Sequence, residues 1–338
     1  MCRGTVPAPK GDKQMNIGLD VGYSETKAIS GSRQAIFPSA VGTPDKARFS
    51  LNGHQSIILI QPHHVQIGAG AVKQSRFLHR REDRRWIESD DWYNLAMAAL
   101  TGLTSAKAAE LHVVTGLPVA FYDDKQVVRD RLLGRHQTQR EGTHAQTLTI
   151  TDCRVIPQPF GALLAATLDD RGRIADATLA GGTVGIIDIG GKTTNLLSVS
   201  RLTEIGHETE SVNTGAWNAV RSVRRWLVDP AHCPDLDLRD HQIIQAIITR
   251  QVRYFGEVID LSEAVDAALE PLAEQVLAAA SQLWNGGAQL DAILAAGGGA
   301  LLLGPYIERH FRHARIVDDP VYANARGFWR FAERLSRQ

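Results

Sequence analysis

Apolar and polar residues alternate along the first part of the chain in the pattern of β-strands, starting at Met15. NIGLDVG predicts a short buried strand that ends in an aspartate and a turn containing glycine, and AISGSRQAIFPSAVG predicts the hairpin that follows it. Strand-like sequence continues through HQSIILI and HVQIGAGAV. Across residues 90–111 the apolar positions take the helical period instead, which predicts a long helix.

Further along, strands and helices alternate. LHVVTGLPVAFY predicts a buried strand, and a charged helix is predicted over residues 123–133. RVIPQPFGALLAATL then predicts a strand, a turn and a helix. This order is typical of an α/β domain with an open sheet, whose early strands are antiparallel and whose later strands are connected by helices.

The pattern restarts after the polar segment DDRGRIAD. TVGIIDIGGKTTNLLSVS again predicts an apolar strand, an aspartate, a glycine-rich turn and a second strand. Helices are predicted over residues 217–228, 241–251 and 261–284, before a final strand in DAILAAGGGALLL. Two copies of one unit, separated by a complete α/β unit, indicate an internal duplication on the scale of a domain.

The length supports two packed lobes, since 338 residues exceed the usual size of one domain. We predict that residues 15–175 and 318–338 form lobe I and that residues 176–317 form lobe II. Residues 1–14 contain proline, glycine and charge without a hydrophobic period, which predicts a disordered N-terminal tail.

The charge balance argues against a general attraction to nucleic acid or anionic lipid, because 37 lysines and arginines offset 37 aspartates and glutamates. Cys2, Cys153 and Cys233 lie far apart without a CxxC pair, as expected for reduced thiols of a cytosolic protein. No apolar run approaches the ~20 residues that cross a bilayer, and the N-terminus lacks the apolar core of a signal peptide. The sequence therefore predicts a cytoplasmic protein with no membrane segment.

The first candidate site follows the first strand, in DVGYSETK. Gly22 allows the backbone to turn sharply after Asp20. Ser24 and Thr26 offer hydroxyls and backbone amides to a phosphate, and Lys27 offers a positive charge. Taken alone, the segment is better explained as a plain hairpin with an Asx turn.

The second candidate site follows the first strand of the repeat, where Asp188 ends an apolar run. A carboxylate in this place can hold Mg²⁺ through water, while the backbone amides after it bind phosphate oxygens. The candidate phosphate-binding positions are Gly190, Gly191, Lys192, Thr193 and Thr194. A structural turn explains this segment equally well, but two such turns, one in each lobe, can face each other and enclose one triphosphate.

Two further segments complete the set of candidates. Gly297, Gly298 and Gly299 remove every side chain at the end of a strand, so that the backbone can approach a ribose or a flat ring; tight helix-to-strand packing is the alternative. Gln158 stands between two prolines before a helix. Its carboxamide can orient a water but does not ionise, and a turn residue without a special role is the alternative.

Other features are given ordinary interpretations. Trp217 and Trp226 have a helical spacing typical of core packing, and the arginine-rich run at residues 76–86 is best explained as a solvated helix face. The scattered histidines, including His63 and His64, show no spacing typical of metal ligands.

In order along the chain, DVGYSETK, IPQPFGALLAA, IIDIGGKTTN, ILAAGGGALLL and DDPVYANARGFWRFAE resemble the five signatures of the actin/Hsp70/sugar-kinase superfamily. Within it, DPVYANARGF and GLPVAFYDDKQVVRDRLLG resemble the ParM/StbA branch of bacterial actin-like proteins. The resemblance implies an actin-like, ribonuclease H-like α/β fold with two duplicated lobes and a nucleotide in the cleft between them. It also implies an ATPase that forms dynamic filaments for plasmid or DNA segregation.

The resemblance assigns roles to individual residues. Asp20 and Asp188 would position Mg²⁺ through water, and Gln158 would orient the hydrolytic water beside ATP. Lys27 would contact phosphate. The three glycines of ILAAGGGALLL would pass beside the adenosine, and a looser assignment places three further residues near the ribose or adenine: Asn213, Thr214 and Gly215.

One departure from the ParM pattern is Gln158, where ParM itself has glutamate and eukaryotic actin has glutamine. We therefore expect slow hydrolysis that depends on assembly. The implied partners are other copies of the chain, joined head to tail, and an adaptor protein bound to plasmid DNA. The small residues around Asn324 and Gly327 are expected to let the hinge helices cross closely.

Three alternatives share the same fold. A small-molecule kinase needs an acceptor-activating carboxylate, and Gln158 does not supply one. A chaperone of the Hsp70 type needs a peptide-binding module, for which no sequence follows the last predicted helix. A scaffold that binds nucleotide without polymerising remains open, because filament contacts have no sequence motif.

Overall fold

The computed structural model describes residues 14–44, 57–60, 62–74, 78–79 and 84–337. The predicted tail therefore lies almost wholly outside the described residues, as does most of the arginine-rich run. Within the described residues, no helix is long and apolar enough to cross a membrane. Cys153 and Cys233 are buried free thiols, and burial raises the pKa of the Cys153 thiol to about 12.

The strands are β1 (Met15–Val21), β2 (Glu25–Ser30), β3 (Arg33–Pro38), β4 (Val41–Gly42), β5 (Ile57–Ile60), β6 (His63–Ile67), β7 (Leu78–His79), β8 (Ala108–Leu117), β9 (Gly134–Arg140), β10 (Gln146–Pro157), β11 (Thr183–Ile189), β12 (Thr194–Ser200), β13 (Thr203–Val212), β14 (Gln251–Tyr254), β15 (Glu257–Asp260), β16 (Ala292–Ala296) and β17 (Ala314–Ile316). The α-helices are α1 (Gly68–Gln74), α2 (Asp90–Gly102), α3 (Lys125–Leu132), α4 (Phe160–Thr167), α5 (Ala177–Gly181), α6 (Ala216–Leu227), α7 (Asp240–Thr249), α8 (Ser262–Leu283), α9 (Ala300–His310) and α10 (Ala323–Leu335).

Two mixed sheets organise the chain into two lobes. The first has ten strands in the order β3-β2-β1-β8-β10-β9-β5-β6-β4-β7, and the second has five in the order β13-β12-β11-β16-β17. In the first, β1 is antiparallel to β2 and parallel to β8. In the second, β11 is antiparallel to β12 and parallel to β16. The expected α/β architecture with two similar halves is confirmed.

The two halves repeat one register at their first turn. Asp20 on β1 lies opposite Lys27 on β2, and Asp188 on β11 lies opposite Asn195 on β12. The turns close in the same way: the amide of Gly22 donates to the carbonyl of Glu25 at 3.1 Å, and the amide of Gly190 donates to the carbonyl of Thr193 at 2.9 Å. The duplication predicted from the sequence therefore extends to the strand register and to the hydrogen bonds that close the two turns.

Helices α4 and α10 each pack against the sheet of the other half of the chain. Although α4 follows the first sheet in the chain, its Ala162 and Leu163 pack in a core with strands of the second sheet. Helix α10 follows the second sheet, yet it packs against β1, β2 and β8 of the first. The two helices cross closely, because a Cβ built at Gly161 would lie 2.6 Å from Cα of Asn324, and one built at Gly327 would overlap the backbone of Gly161. The expected close crossing of small residues is confirmed.

Two details of the predicted secondary structure are wrong. Helix α2 ends at Gly102 rather than continuing to residue 111. From Ala108 the chain pairs with β1 and β10 instead, with Ala109, Leu111 and Val113 buried. In HVQIGAGAV the strand stops at Ile67 and helix α1 follows, because Gly68 adopts a left-handed conformation with φ of 63°.

Candidate functional site

A cavity of about 230 Å³ lies where the two duplicated turns face each other. Its wall is formed by the β1–β2 turn and the β11–β12 turn, and the glycine segment after β16 completes one side. Gln158, which precedes α4, and Asn324, which lies on α10, also line it. The lining includes most of the residues that the sequence motifs singled out: Asp20, Gly22, Ser24, Lys27, Gln158, Asp188, Gly190, Gly191, Lys192, Thr193, Gly297, Gly298 and Gly299.

Asp20 is held at the end of β1 by neighbours on two elements. Lys27 faces it across the strand pair, and Nε2 of Gln158 donates a hydrogen bond to its Oδ1 at 2.7 Å. Asp20 and Lys27 are 4% and 8% exposed. Burial raises the pKa of Asp20, while the charge of Lys27 and the Gln158 hydrogen bond oppose that rise.

Asp188 occupies the matching place at the end of β11. Nδ2 of Asn324 donates a hydrogen bond to its Oδ2 at 3.0 Å. Burial, followed by the negative charge of Asp20, raises the pKa of Asp188 to about 6, and the hydrogen bond from Asn324 and the charge of Lys27 oppose the rise. The two aspartates are therefore close enough to repel each other electrostatically.

Two buried carboxylates with one buried ammonium favour binding of a cation. Oxygen ligands and a partly retained water shell are what Mg²⁺ prefers, and carboxylates together with carboxamides and phosphate oxygens supply them. Among the described residues, no group of three or more histidine, cysteine, aspartate or glutamate side chains forms a metal cluster. The donors at this cavity are those that a hydrated divalent cation such as Mg²⁺ prefers.

The two lobes also touch each other directly at the cavity. Nε1 of Trp217, on the first turn of α6, donates a hydrogen bond to Oγ of Ser24 at 3.0 Å. The Lys192 ammonium lies 5.3 Å from the centre of the Tyr23 ring. The prediction that Trp217 is a core residue is wrong, since its indole lines the cavity and joins the lobes. Trp226 does pack against the hydrophobic core of the second lobe.

The glycine segment after β16 is shaped by the neighbouring strand. Gly297 has φ of 80°, and a Cβ there would lie 2.6 Å from Oδ1 of Asp188. The amide of Gly299 donates to the carbonyl of Ile189 at 2.9 Å. A Cβ at Gly298 would meet nothing within 4 Å, although this residue lines the cavity. Packing explains Gly297 and Gly299, whereas the space at Gly298 is open to a ligand.

Some predicted site residues support the turns without lining the cavity. Thr26 is buried with its hydroxyl 2.9 Å from that of Ser39, and the hydroxyl of Thr194 donates to the carbonyl of Thr214 at 2.7 Å. Asn213 is exposed. Gly215 is the N-cap of α6, where a Cβ would come within 2.7 Å of the Gly190 carbonyl oxygen.

Two side chains of the site, those of Trp217 and Asn324, were not predicted. Trp217 has a local signal, since it follows the Asn-Thr-Gly segment that opens α6. Asn324 lies inside the last of the five signatures, where only its small size was expected to matter. Neither contact is visible in local sequence, because each joins residues more than a hundred positions apart.

Together the fold and the site define a duplicated two-lobed α/β protein whose cleft presents paired carboxylates and two glycine-containing turns. Two family models match it: the actin-like protein N-terminal domain over residues 18–161, and the C-terminal domain of the archaeal MreB-like actin homologue over residues 186–309. The chain belongs to the actin-like protein family.

Individual relatives are similar along almost the whole chain. An archaeal actin homolog of Thermoplasma volcanium is 22% identical over 329 residues, which cover 94% of this chain and 98% of that protein. The crystal structure of an archaeal actin homolog in complex with ADP has a TM-score of 0.76 at 21% identity, covering 94% of this chain and 99% of that one. A ParM from a 15-stranded Clostridium botulinum filament has the same TM-score at 21% identity, covering 95% and 99%. Likeness at this level of identity shows the fold.

Proposed function

We propose that this protein is an ATPase that binds Mg-ATP in the interlobe cleft and polymerises into dynamic filaments. The observation that carries the proposal is the pair of matching turns, each with a buried aspartate, that face each other across one cavity. We assign lobe I to residues 15–175 and 318–338, and lobe II to residues 176–317, with α4 of lobe I packed against the sheet of lobe II. The solved ADP complex of an archaeal actin homolog with the same fold supports a nucleotide as the ligand.

The proposed roles follow the geometry of the cleft. Asp20 and Asp188 hold Mg²⁺ through its water molecules, and the ion when bound neutralises charge on the phosphates. Lys27 contributes a fixed positive charge beside Asp20. The backbone and side chains of both turns bind the phosphate oxygens: Gly22, Ser24, Gly190, Gly191, Lys192 and Thr193. Thr26, Thr194, Thr214 and Gly215 support those turns from behind. Asn213 lies on the ribose or adenine side, and Gly297, Gly298 and Gly299 pass beside the adenosine.

Gln158 is proposed to position the attacking water. Its Nε2 is engaged by Asp20, which leaves Oε1 as the acceptor for a water proton. A carboxamide does not ionise, so it orients the water without acting as a base. Hydrolysis is therefore slow in the monomer and accelerates only when assembly brings the lobes into a tighter arrangement.

Self-assembly is proposed from the likeness to filament-forming relatives. The 15-stranded ParM filament of Clostridium botulinum shares this fold over 95% of the chain. Copies of this protein would join head to tail in a contact that does not close into a ring. We place the filament in the cytoplasm, where an adaptor protein bound to plasmid DNA would link it to its cargo. A nucleotide-binding scaffold that does not polymerise and a small-molecule kinase are the competing functions.

Light scattering and pelleting of the purified protein with Mg-ATP, Mg-ADP and no nucleotide test this proposal. We expect filaments with Mg-ATP, visible by negative staining, that shorten as phosphate is released. An Asp188→Asn variant is the matched control, because it keeps the size of the side chain while removing the charge, and it should form no filaments. Wild-type protein that binds Mg-ATP but stays monomeric in all three conditions would favour the scaffold. Phosphate transfer to a small acceptor would favour the kinase.

A further inference from the structure

Asn324 holds a buried aspartate in the same way as Gln158 does. Nδ2 of Asn324 donates to Asp188 at 3.0 Å, and Nε2 of Gln158 donates to Asp20 at 2.7 Å. Each carboxamide is followed, three positions later, by the glycine at which α4 and α10 cross, Gly161 after Gln158 and Gly327 after Asn324. The internal duplication therefore includes the amides that orient the two carboxylates.

Of the two amides, that of Asn324 reaches from one lobe to the other. Gln158 directly follows β10 of the first sheet, and its partner Asp20 lies on β1 of the same sheet. Asn324 stands on α10, which packs on the first sheet, yet its partner Asp188 belongs to the second. The orientation of Asp188 thus depends on where α10 lies relative to the second lobe.

The backbone beside Asn324 leaves little freedom for independent movement. A Cβ built at Gly161 would lie 2.6 Å from Cα of Asn324 and 2.7 Å from its carbonyl oxygen. Helix α10 therefore cannot slide at this point without displacing α4. Because α4 packs on the second sheet, this crossing fixes the backbone of Asn324 beside Asp188.

Asn324 also carries a second polar atom, the oxygen Oδ1, which can accept a hydrogen bond. Its side chain lines the cavity and is 5% exposed. Oδ1 is buried and has no hydrogen-bond partner within the part of the chain that the structure describes. Such an oxygen is costly to leave unpaired, and a water of hydrated Mg²⁺ is a donor that would pair with it.

We propose that Asn324 is a positioning residue for Asp188, which orients this carboxylate toward a hydrated Mg²⁺. This inference rests on the proposed binding of Mg-ATP in the cleft. One amide group both orients the carboxylate and accepts from a metal-bound water. The close crossing of α4 and α10 sets the position of that amide.

The test measures magnesium affinity apart from nucleotide affinity. Mg²⁺ is titrated into protein saturated with a fluorescent ATP analogue, and ATP binding is measured separately in EDTA. Asn324→Ala should raise the Mg²⁺ concentration for half-maximal effect about tenfold, which is the lower end of the loss that follows removal of a residue orienting a metal ligand. ATP affinity in EDTA should stay within about twofold, as expected when only the metal interaction is weakened.

Two further variants separate positioning from a structural role. Asn324→Ser keeps a hydroxyl donor and should give an intermediate magnesium affinity. Ser336→Ala, which removes a hydrogen bond between the end of α10 and β1 away from the cleft, should leave magnesium affinity unchanged.

The outcomes distinguish this inference from the proposed function. If wild-type protein and Asn324→Ala bind ATP with the same dependence on Mg²⁺ concentration, the inference is overturned and the proposed function stands. Equal weakening of ATP binding with and without Mg²⁺ in both Asn324 variants also overturns it, since that result indicates a structural role. Wild-type protein that binds no Mg-ATP overturns the proposed function and this inference with it.

Discussion

Trp217 and Ser24 join the two lobes at the cavity through a hydrogen bond of 3.0 Å from the indole Nε1 to the hydroxyl Oγ. Ser24 lies in the β1–β2 turn and Trp217 on the first turn of α6, so the bond spans the cleft through which a nucleotide would leave. A Cβ at Gly191 would lie within 3.0 Å of both side chains, which shows how closely the turns approach.

Replacing Trp217 with phenylalanine should weaken this closure. The ring remains, but the hydrogen bond, worth about 1 kcal/mol, is lost. We therefore expect release of a fluorescent ATP analogue, followed by stopped flow, to become about fivefold faster. Trp226→Phe is the control, because Trp226 stacks on His232 in the same lobe away from the cavity. Equal release rates for Trp217→Phe and wild type would show that the hydrogen bond between Trp217 and Ser24 does not retain the nucleotide.

Replacing Gln158 with alanine should slow hydrolysis while leaving ATP binding nearly intact. Misplacing the attacking water by about 1 Å costs about a hundredfold in rate. Phosphate release in the presence of preformed filament seeds measures this step. Gln139→Ala supplies a matched control, since Gln139 donates to Thr143 in an exposed loop. A Gln158→Ala rate equal to that of wild type would show that another group positions the water.

The pKa of Asp188, raised to about 6, predicts how stability depends on pH without metal. Between about pH 4 and pH 6 the folded protein keeps a proton on Asp188 that the unfolded chain has released. The contribution of this group to the free energy of unfolding is therefore greatest below pH 4 and falls as pH rises to 6, by about 3 kcal/mol.

Denaturant unfolding of wild type and Asp188→Asn at several pH values measures this contribution as a difference. The stability of wild type relative to Asp188→Asn should decline from pH 4 to pH 6 and then level off. With Mg-ATP present the trend should reverse, because the cation requires the ionised carboxylate. A difference independent of pH would show that Asp188 titrates normally.

Gly297 and Gly298 form a matched pair with opposite expected effects. Alanine at Gly297 must adopt φ of 80° and approach Oδ1 of Asp188, so the ligand-free protein should lose at least about 1–2 kcal/mol. Alanine at Gly298 meets nothing within 4 Å, so it should leave stability unchanged and weaken nucleotide binding by filling the cavity. Thermal unfolding and isothermal titration separate the two. Unimpaired nucleotide binding by Gly298→Ala would argue against adenosine at this segment.

The parts of the fold that the sequence predicted are those encoded locally and repeated. Asp20 and Asp188 each follow an apolar strand and precede a glycine turn, so the duplication was visible before the register was known. The end of α2 could not be predicted from the sequence, because the alanines after residue 105 suit a helix as well as a strand. Pairing of β8 with β1 and β10, which lie far away in sequence, decides the matter.

The candidate site was predicted to a similar extent. The residues that precede or form turns could be named, since aspartate and glycine at strand ends have a local reason to be there. The contacts of Trp217 and Asn324 could not, because both depend on how the two lobes approach each other. Thr26 and Thr194 have hydroxyls that suit a phosphate site, but both side chains are buried. The alternation of residues along a short strand next to a turn does not show which of them face inward.

The exchange of α4 and α10 between the lobes makes the halves inseparable. A protein assembled from two copies of an ancestral half, each lending its last helix to the other, would have this arrangement after the copies were fused into one chain. Residues 14–167 alone would lack α10, so the face of β1 at Gly18, where the backbone of Ala325 packs, would meet water. Neither half covers its own sheet without a helix from the other, and in this respect the chain resembles an intertwined dimer within a single polypeptide.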